Sequence, residues 1–172
     1  MAAQTIVELI HQKLGEQIER TEHLVQLVPA NSIEWKPVIP AGSSDLGHLL
    51  GHLLECMAGF CALFYSAFPQ QLADLVELRR LPVNHGCGRE EALKRIREYA
   101  MHIDRGFALC TDADLSRALP TVFVPEGEPL LTLLLGNLEH LINHKYQLFF
   151  YLKLHGLALG TRDIYHWRGA NE

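Results

Sequence analysis

Two histidine pairs set four residues apart, His48/His52 and His140/His144, are the features of this chain best suited to chemistry. On a helix, residues four apart lie one above the other, so both imidazoles of a pair can turn toward one point. Each pair sits inside a strongly apolar run, where an imidazole is costly unless it has a partner. Two imidazoles from one helix and a third from a neighbour would make a three-nitrogen face with open positions. That is the build of a catalytic rather than a closed structural metal site. The imidazoles bind only when neutral, so occupancy should fall as pH drops through their titration range. Setting 100° per residue along the second helix puts His52 roughly 120° from the centre of the apolar stripe and His48 roughly 160° from it. His52 is therefore the inward candidate, and His48 belongs to the surface or behind the ligands. The candidate set is His52, His140 and His144. The competing reading is three hydrogen-bonded core histidines, because HxxxH without the intervening Glu of a zincin is a weak signal.

Other polar residues add less. Glu55 and Glu139 lie near the histidines in sequence and read as solvated helix-face carboxylates, with a general-base role resting on proximity alone. Gly47 and Gly51 could leave room for a substrate, although small residues more often permit close packing. His11, His23, His85, His102, His155 and His166 carry no functional assignment.

Four long helices must position these residues. The first spans 5–28: Ile6, Leu9, Ile10, Leu14, Ile18, Thr21, Leu24, Val25 and Val28 recur at helical spacing, and Pro29 stops it. A loop over 30–43 carries Pro37, Pro40, Gly42 and Ser43, with Trp35 packing on the domain. The second helix starts near Ser44 as N-cap and runs to Ala67, its stripe made by Leu46, Leu49, Leu50, Leu53, Met57, Phe60, Cys61 and Phe64. Residues 69–88 form a long, partly helical crossover. The third helix, 89–110, turns Leu93, Ile96, Ala100, Ile103 and Phe107 inward. Between 111 and 128 the sequence suggests a helical turn at Ala113–Ala118 and a short β-hairpin over Thr121–Gly127. The fourth helix, 129–157, is apolar almost all round and ends at Gly156 or Gly160. The tail from Thr161 is aromatic enough to fold back or to enter a dimer contact. The expectation is all-α: a four-helix bundle forming one domain over 1–172, with a short hairpin before the last helix.

Composition narrows the function classes. The net charge of −5, from 15 Lys+Arg against 20 Asp+Glu, lacks the basic footprint that phosphate binding needs and argues against nucleic acid. No apolar run reaches the ~18 uninterrupted residues of a membrane span, and the N-terminus lacks a signal-peptide build. The cysteines, Cys56, Cys61, Cys87 and Cys110, form no CxxC and read as reduced, mostly buried thiols of a cytoplasmic protein.

Three segments resemble the DinB-like family of metalloenzymes (DinB/YfiT superfamily). Asp45-Leu-Gly-His-Leu-Leu-Gly-His52 is similar to the family's second-helix pattern, with the first ligand His seven residues after a capping residue. Glu139-His140-Leu-Ile-Asn-His144-Lys-Tyr-Gln147 resembles its HxxxHRGQ signature, and Tyr151-Leu-Lys-Leu-His-Gly156 the YLRxxG that follows. Lys145-Tyr146 stands where the family has Arg-Gly, and His48 is additional. The resemblance implies a divalent metal, zinc or nickel, on His52, His140 and His144, and a homodimer. It also implies a thiol S-transferase that adds a low-molecular-weight thiol to a small electrophile, an isomerase that uses such a thiol, or a hydrolase. The other function class compatible with the sequence is a non-enzymatic metal- or ligand-binding bundle with a vestigial site.

Overall fold

The structure, a computed structural model, describes residues 3–38, 43–121 and 124–165. Its long helices are α1 (Ile6–Gln26), α2 (Leu46–Ala67), α4 (Arg89–Leu109) and α5 (Leu130–Leu154). Two four-residue helices, α3 (Val76–Arg79) and α6 (Thr161–Ile164), lie in the crossover and in the tail. The expected third and fourth helices are thus α4 and α5. Strands β1 (Ala118–Leu119) and β2 (Glu128–Pro129) pair antiparallel, Ala118 opposite Pro129 and Leu119 opposite Glu128. Of the loop expected over 30–43, residues 39–42, Pro40 and Gly42 among them, lie outside the described residues.

The α2 stripe drives the packing. Leu46, Leu50, Leu53, Met57 and Phe64 are fully buried, and α2 packs chiefly on α4 and α5. By length and composition α2 is apolar enough to cross a bilayer, yet more than half of its apolar window is buried within the bundle. It is the core helix, which explains a hydrophobicity that would otherwise need a membrane. In α5, Leu130, Leu134, Leu141, Leu148 and Leu152 form the matching stripe, all fully buried.

Several expectations need correction in detail. The N-cap of α2 is Asp45 rather than Ser44: its carboxylate Oδ1 accepts from the His48 N–H at 2.7 Å. At the start of α1, Ile6 and Leu9 are half-exposed and Val7 is the buried residue. There the Asp112 carboxylate accepts from the backbone N–H groups of Ile6 and Val7, at 3.1 and 2.9 Å, beside the Thr5–Glu8 capping box. The inward face of α4 includes Arg95 and Tyr99, while Leu93 and Ala100 are half-buried. Arg95 can be buried because its guanidinium donates to the Pro82 carbonyl and the Tyr99 hydroxyl, both at 2.6 Å. The turn expected at Ala113–Ala118 is a 3₁₀ turn over Asp114–Ser116. The hairpin strands flank Thr121–Gly127 instead of lying within it. Gly127, at φ +96°, serves that loop, and Val122 and Phe123 lie outside the described residues. Gly156, at φ +107°, closes α5.

Trp35 packs on the domain as expected, and the start of the tail lies against α1. Trp35 sets its ring edge-on to Tyr151 and His155 at 6.0 and 5.1 Å. Helix α6 packs on α1, with His23 Nε2 3.3 Å from Asp163 Oδ1. His166 and the rest of the tail lie outside the described residues. All four cysteines are buried and free.

Candidate metal centre

The three candidate histidines meet between α2 and α5. His52 Nε2 lies 3.0 Å from His144 Nε2 and 3.2 Å from His140 Nε2. All three offer ligand atoms within 4.8 Å of one another, and each ring is half-buried. His48 is exposed and stands outside this group, lining a small cavity of about 180 Å³ with Ser44, His52, His144 and Gln147.

The far nitrogens of two rings are already engaged. His144 Nδ1 meets Gln147 Oε1 at 2.8 Å, and Gln147 in turn donates from Nε2 to the Tyr151 hydroxyl at 3.3 Å. With the Gln147 amide donating through its nitrogen, its oxygen accepts, so His144 carries its proton on Nδ1. His52 Nδ1 meets the Asn84 side-chain oxygen and the Glu55 carboxylate, the latter at 2.9 Å. A carboxylate only accepts, so His52 is also protonated on Nδ1. Both Nε2 atoms therefore present lone pairs, facing each other at 3.0 Å. Two lone pairs at that distance repel unless a cation lies between them.

A divalent ion fits that requirement. Metal–imidazole bonds of about 2.1 Å, with bond angles between octahedral and tetrahedral, separate the ligand nitrogens by roughly 3.0–3.4 Å. The two Nε2 separations fall in this range. Outer acceptors on Nδ1 are also what metal-bound histidines ordinarily have, since they fix tautomer and ring orientation. Burial holds His140 below the ordinary imidazole pKa, helped by the neighbouring His52 and opposed by Glu55. For His144 burial again leads; Gln147 opposes it, and His52 and His140 add to it. Both rings are thus kept neutral, the form a metal needs.

Space lies beside the triad. A groove of about 560 Å³ runs between α2, α5 and the hairpin; Leu63 and Leu133 line it, and His140 and Asn137 stand on its wall. Asn137 donates from Nδ2 to the Cys56 carbonyl at 2.9 Å, which anchors that wall to α2.

Gly47 and Gly51 of α2 admit neighbouring backbone rather than a substrate. The backbone N–H of Asn84 donates to the Gly51 carbonyl at 3.1 Å, and that of Cys87 to the Gly47 carbonyl at 3.0 Å. A Cβ on Gly51 would lie 1.9 Å from the His85 carbonyl oxygen. The crossover thus occupies the room at Gly51, and at Gly47 it shares the room with the Ile33 carbonyl, 3.1 Å from an added Cβ.

Sequence reasoning missed Asn84 and undervalued Glu55. Asn84 stands 32 residues from His52 in a loop with no periodicity to place it. Glu55 carried a signal in its three-residue spacing from His52. Glu139 is exposed. Lys145, where the resembled signature has Arg, is 2% exposed, and its ammonium donates to Gln17 Oε1 at 2.7 Å. Burial, then the charge of Arg20, pushes its pKa down to about 8.

A second grouping, His85, Cys87 and Glu91, is already occupied by its own contacts. Glu91 meets His85 Nε2 at 3.1 Å and Arg95 at 3.3 Å. Burial, followed by the charge of Glu91, pushes the Cys87 thiol up to about 12, so it stays protonated.

No protein-family model matches the chain, and no curated protein matches it. Among solved structures it is similar to the crystal structure of a DinB-like protein, YjoA, from Bacillus subtilis. The two are 16% identical, the match covers 88% of this chain and 94% of that one, and the TM-score is 0.66. The chain therefore has a DinB-like fold.

Proposed function

We propose that the chain is a cytoplasmic metal-dependent enzyme whose divalent ion, zinc or nickel, is held by His52, His140 and His144. The observation that carries this reading is the pair of Nε2 lone pairs set 3.0 Å apart by outer acceptors on both rings. When bound, such an ion supplies Lewis acidity that brings a water or a thiol toward deprotonation near neutral pH. The chain's own residues do the rest. Gln147 and Glu55 hold the His144 and His52 ring orientations. Leu63 and Leu133 offer an apolar wall beside His140. A groove of this character suits a small, largely apolar electrophile. The reaction is then transfer of a low-molecular-weight thiol to that electrophile, or its hydrolysis. Glu55 is spent on His52 and is a positioning group rather than a base. Four buried free thiols support the cytoplasmic assignment. A homodimer and a single domain over 1–172 complete the proposal; sedimentation of the full chain tests the former and limited proteolysis the latter.

Elemental analysis of untagged protein tests the reading. We expect near-stoichiometric divalent metal, lost in His52→Ala and His144→Ala. Protein that holds none and takes up none overturns it. With metal present, thiol addition to electrophiles and ester hydrolysis are assayed in parallel. Activity unchanged in the triad variants would favour the other reading, a metal-binding bundle without catalysis. Chelation should lower the melting temperature by only a few degrees, because metal stabilises by mass action a bundle that already folds; complete unfolding would contradict this.

A further inference from the structure

Asn84 is one of the few residues whose backbone and side chain are both committed to the triad's surroundings. It has φ +55°, the only left-handed non-glycine among the described residues. Asn is among the side chains that tolerate this conformation best. Its N–H is tied to the Gly51 carbonyl, one residue before His52, while its side-chain oxygen meets His52 Nδ1. The adjoining crossover is fixed as well: Cys87 is tied to Gly47, and the Pro82 carbonyl takes the buried Arg95 guanidinium at 2.6 Å. The oxygen is thus aimed at His52 by three backbone anchors on two helices. Glu55, the other acceptor on the same nitrogen, is 40% exposed at its side chain.

We infer that Asn84 is a positioning residue for the three-histidine centre: it holds the His52 ring so that Nε2 faces the point shared with His140 and His144. The inference rests on the reading of that triad as a metal centre. It assigns the crossover a role beyond connection, since a loop distant in sequence fixes the one ligand that α2 contributes.

Two variants test it in the full chain. Asn84→Gly removes the acceptor and leaves the left-handed backbone comfortable. Asn84→Asp restores an acceptor in a residue that also accepts this backbone. Zinc(II) affinity, by competition with a chromophoric chelator, should fall about 10- to 100-fold in Asn84→Gly and return to within about threefold in Asn84→Asp, while Glu55→Gln costs less than Asn84→Gly. The melting temperature of the metal-free protein should change little in either Asn84 variant. Nitrogen-15 NMR of metal-free protein, above the imidazole titration range, should show His52 as a single Nδ1–H tautomer in Glu55→Ala, where Asn84 is the acceptor left on that nitrogen, and as averaged tautomers in Glu55→Ala/Asn84→Gly. Wild-type zinc affinity in Asn84→Gly overturns the inference while leaving the metal centre intact. If the wild type binds no zinc, the metal reading fails and the tautomer comparison alone decides the role of Asn84: averaging on removal of Asn84 from the Glu55→Ala protein upholds it, and an unchanged single tautomer overturns it.

Discussion

Gly51→Ala should behave unlike an ordinary glycine-to-alanine change in a helix. In an exposed helix interior that change gains about 1 kcal/mol from backbone entropy and helix propensity. Gly15 in α1, half-buried, leaves an added Cβ the same freedom, with nothing within 4 Å of it. At Gly51 the same Cβ would lie 1.9 Å from the His85 carbonyl oxygen and 2.8 Å from its nitrogen. The obstacle is backbone, so the crossover must move by more than an ångström. That breaks the Asn84-to-Gly51 and Cys87-to-Gly47 hydrogen bonds, each worth about 1 kcal/mol net. Strain from overpacking adds about 1 kcal/mol or more. Against the propensity gain, Gly51→Ala should come out destabilised by about 2 kcal/mol and Gly15→Ala stabilised by about 1. For 172 residues, a gap of about 3 kcal/mol is roughly 6–12 °C in melting temperature. Thermal or urea unfolding of the metal-free variants measures it, and zinc affinity should fall with Gly51→Ala because Asn84 moves. Equal melting temperatures for the two variants would refute the docked-crossover argument.

Gln147→Ala should weaken zinc binding by about tenfold or more through loss of the His144 Nδ1 partner, with little effect on the melting temperature of the metal-free protein; competition titration reads it. The stability of metal-free protein should decline as pH falls below the ordinary imidazole value of about 6.5. His140 and His144 titrate lower in the folded chain than when unfolded, so the unfolded state takes up protons first and stability is lost from that value down to the folded ones. Urea midpoints across this window should flatten in a His140→Ala/His144→Ala variant; an unchanged slope would contradict the assignment. The four thiols should resist a thiol-reactive dye until the protein unfolds, since burial first of all pushes Cys56, Cys61 and Cys87 up to about 12 and Cys110 to about 11. Fast labelling of native protein would show a more open core.

The sequence is most informative where a period exists. The α2 and α5 stripes recur every three or four residues, and burial follows them. The same rotation separates His52, which meets the triad, from His48, which does not. It fails where polar residues turn inward on specific partners. Arg95 and Tyr99 interrupt the apolar face expected on α4 because their partners come from the crossover and from each other. Buried Lys145 is similarly explained only by Gln17, far away on α1. The α2 cap shows a finer limit: Ser44 and Asp45 are both good capping residues, and only backbone geometry chooses between them. Asn84 is the extreme case, since its role depends on a contact spanning a loop with no repeat.

That contact also sets where this chain tolerates insertion and deletion. Between Asn84 and Cys87 two backbone hydrogen bonds clamp the crossover to carbonyls one turn apart on α2. A residue added or removed within that stretch would carry Asn84 off His52 or Cys87 off Gly47. The exposed positions Gln70 and Gln71, and Arg80 and Leu81, have no such anchor to α2, and lengthening a loop there costs little. Natural or engineered variants should therefore differ in crossover length before Pro82 and keep a fixed count of residues from Pro82 to the start of α4.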